Sequence, residues 1–201
     1  MPRFGEIWWC FPFGNATECT HAVVYNVREK SWYDTVLPRG LRTAGAFAQS
    51  YRFPFMCDSL ANEVTGKFTL WQHETGLDEI RNTPNSVKAI LARIRTGELS
   101  PILSGVDAGF HIARTEPDML QIGNMEVRVI GRANSRAPEV VSQTYNFPPP
   151  PAAAPQDQPV NMKDSQRLFA LEFESNVQGG DFQLGRTIAY VLQQEMRNTG
   201  P

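Results

Sequence analysis

The sequence lacks the features that mark secreted, membrane-spanning and nucleic-acid-binding proteins. Its 3 cysteines are too few and too odd in number for a disulfide framework, so synthesis in a reducing compartment fits best. No apolar run approaches the roughly 18 residues that cross a bilayer, and the N-terminal segment MPRFGEIWWC has neither the basic start nor the apolar core of a signal peptide. The formal charge of −2 provides no long-range attraction to phosphate groups or anionic membranes.

Aromatic residues are abundant, with 4 Trp and 12 Phe among 201 residues, and three of the Trp precede residue 33. A fully buried aromatic side chain contributes about 2–3 kcal/mol to folding. With 41% hydrophobic and 20% charged residues, the chain can bury a core as one domain or as two small ones. We expect Trp8, Trp32 and Trp71 to pack internally.

Short β-branched and aromatic segments separated by polar turns predict strands near the N-terminus, at residues 7–11, 22–26 and 31–35. Alternation of apolar and polar residues predicts later strands at 67–72, 110–114, 125–129 and 169–174. Pro117 is expected to end the strand before it, and Gly179-Gly180 is typical of a hairpin turn. The predicted fold class is mainly β, with antiparallel meander sheets in a partial β-propeller or sandwich-like arrangement.

Residues 87–95 are ambiguous. Val87, Ile90, Leu91 and Ile94 fit the apolar stripe of a helix, whereas alternate residues of the same segment fit one face of a strand. The periodicity by itself slightly favours a helix.

A proline-rich segment at residues 147–159 interrupts the strand pattern. Proline fixes φ and removes the amide donor, so this segment is expected to be an extended connector or surface arm. Binding of the prolines to a partner groove is the less favoured alternative. The predicted organisation is a blade-like sheet region at 1–80, a second sheet region at 81–147, the arm at 148–162, and a closing hairpin on the second region at 163–201.

Cys10, Cys19 and His21 invite comparison with zinc sites. The spacing between the two cysteines does not match the knuckle that presents two thiolates to one ion, and Cys57 has no neighbouring ligand pair. Thiols on strands are the favoured interpretation, so we expect no metal and no cofactor.

The acidic stretch after His73-Glu74, which contains Asp78-Glu79, could supply an acid–base pair. The second histidine that a helical zinc-protease motif requires is missing, so a surface loop is favoured. Ser59 and Ser104 lack the glycine setting of a nucleophile elbow. We therefore expect no catalytic residue.

Arg39, Arg42 and Arg52 form a loose basic cluster among aromatic residues. Contact with nucleic acid by charge and stacking is one interpretation. The overall acidity favours the other, in which the arginines satisfy strand edges and carboxylates.

Several strand segments together carry a family resemblance. They are IWWCFP at 7–12, VVYN at 23–26, SWY at 31–33 and LRTA at 41–44, then LWQHETG at 70–76, TGEL at 96–99, TEPD at 115–118, MEVRV at 125–129, residues 167–175, and QLGR at 183–186. Their collinear order resembles the tail hub proteins of short-tailed bacteriophages, also called packaged-DNA stabilisation or tail nozzle proteins. The resemblance covers about residues 6–193. It implies a strand over 87–95, against the periodicity.

The resemblance implies a non-enzymatic virion component, made in the host cytoplasm, that forms a sixfold ring around the DNA channel and contacts other tail, adaptor or portal proteins. Family members are longer, so we expect a split component or a protein built from the closing sheets alone. The expected interface residues are the exposed arginines and the proline arm: Arg39, Arg42, Arg52, Pro148, Pro149, Pro150 and Pro151.

Two alternatives remain open from the sequence. In the first, the chain is a carbohydrate-binding or glycan-cleaving β domain in which Trp9, Trp32 or Tyr33 stacks on a sugar. In the second, it lines a nucleic-acid channel, which predicts steep salt dependence of DNA binding.

Overall fold

The computed structural model describes residues 4–37, 42–47, 50–58, 60–61, 65–82, 85–100, 108–149 and 159–195. Across these ranges the regular structure consists of antiparallel strands without any helix, which confirms the mainly β prediction. The same part of the chain accordingly contains no helix long and apolar enough to cross a membrane. The chain divides into two compact units, Met1–Gly76 and Leu77–Pro201.

The first unit contains two three-stranded sheets, of order β1-β2-β3 and β4-β5-β6. Their strands are β1 (Glu6–Phe11), β2 (His21–Asn26), β3 (Ser31–Val36), β4 (Ala44–Ala46), β5 (Phe55–Cys57) and β6 (Leu70–Gln72).

The predicted hairpin between β2 and β3 is confirmed, with Tyr25 opposite Trp32 and Asn26 opposite Ser31. Asn26 closes the turn because its side-chain oxygen accepts hydrogen bonds from the backbone amides of Arg28 and Glu29, each at 3.0 Å. Lys30 takes the left-handed conformation, with φ of 53°, that brings the chain into β3.

The core of the first unit lies on one face of the β1-β2-β3 sheet. Ala22, Val24 and Leu37 are fully buried, and Trp8 packs against them. Since side chains alternate between the two faces of a strand, the remaining residues of these strands lie on the opposite face.

The second unit contains a β-hairpin, β7-β8, and two larger sheets. Its strands are β7 (Asp78–Asn82), β8 (Asn85–Ala89), β9 (Ala92–Arg95), β10 (Ala108–Ile122), β11 (Met125–Arg132), β12 (Val140–Val141), β13 (Tyr145–Phe147), β14 (Val160–Gln166), β15 (Leu168–Ser175) and β16 (Asp181–Glu195).

The two larger sheets pack face to face as a sandwich. One has the order β14-β10-β16, and the other has the order β12-β11-β15-β9 with β13 also paired to β11. Ile112 and Met162 of the first sheet meet Val127, Leu171 and Phe173 of the second in one buried cluster. This cluster is the main core of the described chain, and burial of its side chains is the dominant stabilising term.

The strands of the second unit differ from the sequence-based expectations at residues 87–95 and at Pro117. Residues 87–95 contribute to two strands, β8 and β9, so the helical periodicity is wrong. The strand that the resemblance implies is confirmed for 92–95, which leads into Thr96, but it does not extend unbroken from residue 87. Pro117 does not end its strand, because β10 continues to Ile122. The proline lies beside a register shift and beyond the last residue of β10 that β14 pairs, although it still has Thr187 of β16 opposite it.

The expected closing hairpin at 163–201 is not formed. β15 pairs with β11 and β9, whereas β16 pairs with β10, so the Gly179-Gly180 turn joins the two layers of the sandwich. The turn is held by Asp78, whose carboxylate accepts a hydrogen bond from the Gly179 amide at 2.9 Å. In addition, β14 begins at Val160, within the segment predicted as the arm.

Candidate interaction surface

The outer face of the β1-β2-β3 sheet is almost entirely apolar. The register places residues of the three strands in rows that share this face. The rows are Ile7–Tyr25–Trp32, Trp9–Val23–Asp34 and Phe11–His21–Val36, and together they are called the aromatic face below.

The aromatic face is open to solvent. Trp32 is 62% exposed and Trp9 is 48% exposed. Their rings stack at a centroid distance of 5.6 Å with an interplanar angle of 25°, and Tyr25 lies 4.6 Å from Trp32. The expectation that Trp32 packs internally is wrong, because Tyr25, its partner across the β2-β3 ladder, also faces away from the core.

Tyr33 does not belong to this surface. It lies on the other face of β3, where its hydroxyl donates to a carboxylate oxygen of Glu6 at 3.0 Å. Trp8 donates its indole N–H to the second oxygen of the same carboxylate at 3.1 Å. Burial, followed by the charge of Glu6, raises the pKa of Tyr33. Of the three aromatics proposed to stack on a sugar, Trp9 and Trp32 therefore share one platform and Tyr33 does not.

Arg42 is buried rather than available as an interface residue, with 4% of its surface exposed. Its Nε donates to Nε2 of His73 at 3.1 Å, its guanidinium lies 4.7 Å above the Trp71 ring, and its backbone amide donates to the Cys19 carbonyl. A buried guanidinium needs such partners, since an uncompensated buried charge is costly. Arg42 therefore lacks the exposure that the expected interface role assumed.

His73 is a neutral acceptor in this cluster. Burial, with a smaller effect from the Arg42 charge, lowers the pKa of His73 to about 4, and the edge of Trp8 packs on its ring at 6.0 Å. A general base must reach the proton that it removes. Nε2 of His73 already accepts the hydrogen bond from Arg42. Asp78 and Glu79, the acidic residues considered as acid–base partners, begin the second compact unit, and the Asp78 carboxylate accepts the hydrogen bond from the Gly179 amide.

The three cysteines are free thiols. Burial, together with the nearby Cys19, raises the pKa of the Cys10 thiol, so it stays protonated at neutral pH. Within the described ranges, no group of three or more His, Cys, Asp or Glu side chains is arranged to hold a metal ion. His21 instead shares a hydrogen bond with the Thr20 hydroxyl at 2.8 Å and packs on Phe13.

The remaining predicted interface residues are only partly described. Arg52 is exposed, and its guanidinium lies 5.5 Å from the ring of Phe53. Pro148 and Pro149 are exposed and lie outside any strand. Arg39, Pro150 and Pro151 lie outside the described residues, as do Ser59 and Ser104.

A signal for the aromatic face was available in the sequence. Trp8 and Trp9 are consecutive, as are Trp32 and Tyr33, and consecutive residues of a strand point to opposite faces. One aromatic of each pair must therefore face away from whichever side the sheet buries. The pairing of the strands decides which one it is.

No protein-family model matches the chain, and a search of curated proteins finds no significant match.

Proposed function

We propose that this chain is a structural component of a bacteriophage tail, such as a hub, nozzle or head-to-tail connector, that acts by assembly without catalysis. The aromatic face is the observation that carries the proposal. Contiguous apolar patches on a soluble protein mark sites of association, and this patch displays two stacked indoles and five further apolar side chains across three strands. Trp and Tyr are also the residues that dominate the energetics of protein interfaces.

The location and the partners come from the resemblance of the strand segments to tail hub proteins. On that basis the chain is made in the host cytoplasm and joins the virion as a ring, six copies by resemblance, around the channel through which DNA is ejected. Its other partners are tail, adaptor or portal proteins. The acidic net charge of −2 fits a channel wall that contacts DNA only non-specifically.

The aromatic face is suited to protein contact because polar side chains are few on it. Asp34 and His21 are its only titratable members besides Tyr25, and His21 is already packed against Phe13. An apolar centre with polar groups at its margin is the arrangement found in stable interfaces. Trp9 and Trp32 are exposed in the single chain, so a partner that covers them removes apolar surface from water and thereby stabilises the complex.

Light scattering of the purified protein, alone and mixed with other virion proteins from the same source, tests the proposal. We expect a ring-sized particle or a stoichiometric complex, and we expect the Trp9→Ser/Trp32→Ser double variant to lose it. Phe68→Ser is the matched control, since Phe68 is an exposed aromatic of the same unit outside the aromatic face. A wild-type monomer that joins no virion protein would contradict the proposal.

A second candidate function, glycan binding, is favoured by the same pair of indoles. An exposed aromatic ring can stack on a pyranose while a nearby carboxylate accepts hydrogen bonds from its hydroxyls, and Asp34 lies two residues from Trp32 on the same face of β3. A glycan array and a reducing-sugar assay separate the two candidates. Saccharide binding that Trp32→Ser abolishes, in a protein that assembles with nothing, would replace the structural proposal.

A further inference from the structure

The strand β16 has an open edge in the described part of the chain. It runs for 15 residues, Asp181–Glu195, and β10 is its only neighbour in the sheet order β14-β10-β16. Backbone amide and carbonyl groups on the other side of β16 are therefore not used by any described strand. An open edge of this length is a template for pairing with another polypeptide.

The opposite edge of the same sheet is better protected. Tyr145 of β13 reaches β14, where its hydroxyl accepts a hydrogen bond from the Lys163 amide at 3.1 Å and donates to Asp164 at 2.8 Å. Lys163 and Asp164 also place charges on that strand, which discourages pairing. The end strands of the other sandwich sheet, β9 and β12, have only 4 and 2 residues.

The C-terminal half of β16 has the composition of a pairing strand. Residues 187–194, TIAYVLQQ, contain no charge, no proline and no glycine. Short uncharged segments of β-branched and aromatic residues are the ones that add to sheet edges. Each residue from Thr187 to Glu195 has a partner in β10. One register shift falls just before this run, near Gly185 and Arg186, and a second falls within it, where Ala113 of β10 has no partner between Tyr190 and Val191. The extra residue of this second shift is in β10, so β16 itself is continuous there.

We propose that residues 187–193 pair antiparallel with the same residues of a second copy of the chain, about a two-fold axis at Tyr190. The two three-stranded sheets then become one continuous six-stranded sheet. An interface of this kind is self-complementary, because the same surface is used by both copies. The occupant of the edge is therefore the chain's own β16.

The side chains select this register. Ile188, Tyr190 and Leu192 point away from the core and are 38%, 44% and 60% exposed. With the axis at Tyr190, Ile188 lies opposite the partner's Leu192, and the two Tyr190 rings lie opposite each other. Ala189 and Val191 pack on the core cluster, and Ala189 of one copy lies opposite Val191 of the other. The core-facing side of the sheet is therefore apolar across the interface.

Other registers are worse. If one strand slips by a single residue along the other, the axis falls between two residues, and core-facing side chains then lie opposite outward-facing ones. If the axis instead moves by one whole residue, from Tyr190 to Ala189, Arg186 lies opposite the partner's Leu192 and the match of apolar side chains is lost. With the axis at Tyr190, Arg186 lies opposite the partner's Gln194, so this charge has a polar neighbour.

This dimer is independent of the proposed function. A two-fold interface closes on itself, whereas a ring requires a head-to-tail contact through a different surface. The aromatic face and β16 lie in different compact units. Variants of one surface therefore leave the residues of the other unchanged, and either idea can fail without the other.

Sedimentation equilibrium of the full chain tests the pairing between about 1 and about 200 μM, a range that brackets micromolar dissociation constants. We expect the mass to rise with concentration from 22.6 kDa towards twice that value. Ile188→Lys/Leu192→Lys places two lysines opposite each other at each end of the pair, so we expect the dissociation constant to rise at least about tenfold.

The charge-swapped variant Ile188→Lys/Leu192→Glu supplies the decisive comparison. In the proposed register each lysine faces the partner's glutamate, so we expect dimerisation to return to within about threefold of wild type at low salt. Both substitutions are at exposed positions, and circular dichroism checks that each variant is folded. The proposal would be overturned if the wild type were monomeric throughout, if the double-lysine variant still dimerised as wild type does, or if both variants lost dimerisation to the same extent.

A cysteine at the axis gives a second measurement that does not depend on charge. Tyr190→Cys places two thiols opposite each other, so mild oxidation is expected to yield a reducible covalent dimer linked through that residue. Gln183→Cys, on the same strand but outside the paired run, is the control, and peptide mapping distinguishes the new thiol from Cys10, Cys19 and Cys57. Equal cross-linking at both positions would also overturn the register.

Discussion

Arg42 donates its Nε–H to Nε2 of His73 across 3.1 Å, inside a cluster closed by the rings of Trp8 and Trp71. Since Nε2 accepts this hydrogen bond, His73 is neutral and carries its proton on Nδ1. A cationic histidine would lose the hydrogen bond and face the Arg42 charge. The pair therefore makes the first compact unit sensitive to acid.

We predict that the first unit is less stable at pH 4.5 than at pH 7, by about 2 kcal/mol from His73. The pKa of His73 is lowered to about 4 in the folded chain, whereas an unfolded histidine titrates near 6.5. Between these values the unfolded state binds a proton that the folded state does not. Stability is therefore complete above about pH 6.5 and is lost as the pH falls towards 4.

Urea unfolding followed by Trp fluorescence measures this effect, because all 4 Trp lie in the first unit. His73→Gln should flatten the pH dependence between pH 7 and 4.5. His111→Gln, a change in the second unit, should leave it unaltered. If His73→Gln and wild type lost the same stability on acidification, His73 would not be the source of the pH dependence.

A second prediction concerns Arg128 at the centre of three carboxylates. Its guanidinium bonds Glu172 at 3.2 Å, Glu174 at 3.1 Å and also Glu126, and Glu172 is only 6% exposed. Arg128→Met should destabilise the second unit by about 2–4 kcal/mol at pH 7, because it leaves partly buried carboxylates facing one another.

Arg93→Met is the matched control for the carboxylate cluster. Arg93 approaches Glu172 at 3.8 Å, but its side chain is 55% exposed, so its removal should change stability by less than about 0.5 kcal/mol. Hydrogen exchange of the β11 and β15 peptides measures both variants. Similar losses for Arg128→Met and Arg93→Met would contradict a central role for Arg128.

A third prediction tests the close packing of β11 against β14. A Cβ added at Gly131 would overlap two side-chain carbons of Gln166. Gly131→Ala should therefore cost about 1–3 kcal/mol, because Gln166 must leave its position. Gly97→Ala is the control, since nothing lies within 4 Å of its added Cβ. Thermal unfolding by circular dichroism compares them, and equal midpoints would show that Gln166 moves without cost.

A fourth prediction concerns Glu139, which two arginines hold at the surface. Hydrogen bonds from Arg95, at 2.7 Å and 3.0 Å, and from Arg132 lower the pKa of Glu139 to about 2. The stabilisation is present above the unfolded value of about 4.5 and is lost as the pH falls towards 2. Carboxyl NMR should show this low titration midpoint, with a rise in high salt as the exposed charges are screened. A titration midpoint near 4.5 at low salt would contradict the hydrogen bonding of Glu139 by Arg95 and Arg132.

The sequence by itself determined the fold class and many of the strands. Alternation at Met125, Val127 and Val129 predicted β11, and all three side chains are buried. The polar turn after Asn26 predicted the β2-β3 hairpin. These features are local, because the period of two and the turn chemistry depend on neighbours along the chain.

Only the tertiary structure decided which strands pair and which faces are covered. Gly179-Gly180 has the composition of a hairpin turn, yet β15 and β16 enter different sheets, because their apolar faces meet across the core instead of side by side. Arg42 is charged and was expected at the surface, but Trp71 and His73, about thirty residues away in sequence, supply the partners that allow its burial. The aromatic content indicated that large side chains could stabilise a core when buried. The pairing of the strands decided that Trp9 and Trp32 lie on the solvent side instead. Burial depends on contacts between residues distant in sequence, and single-residue properties do not contain that information.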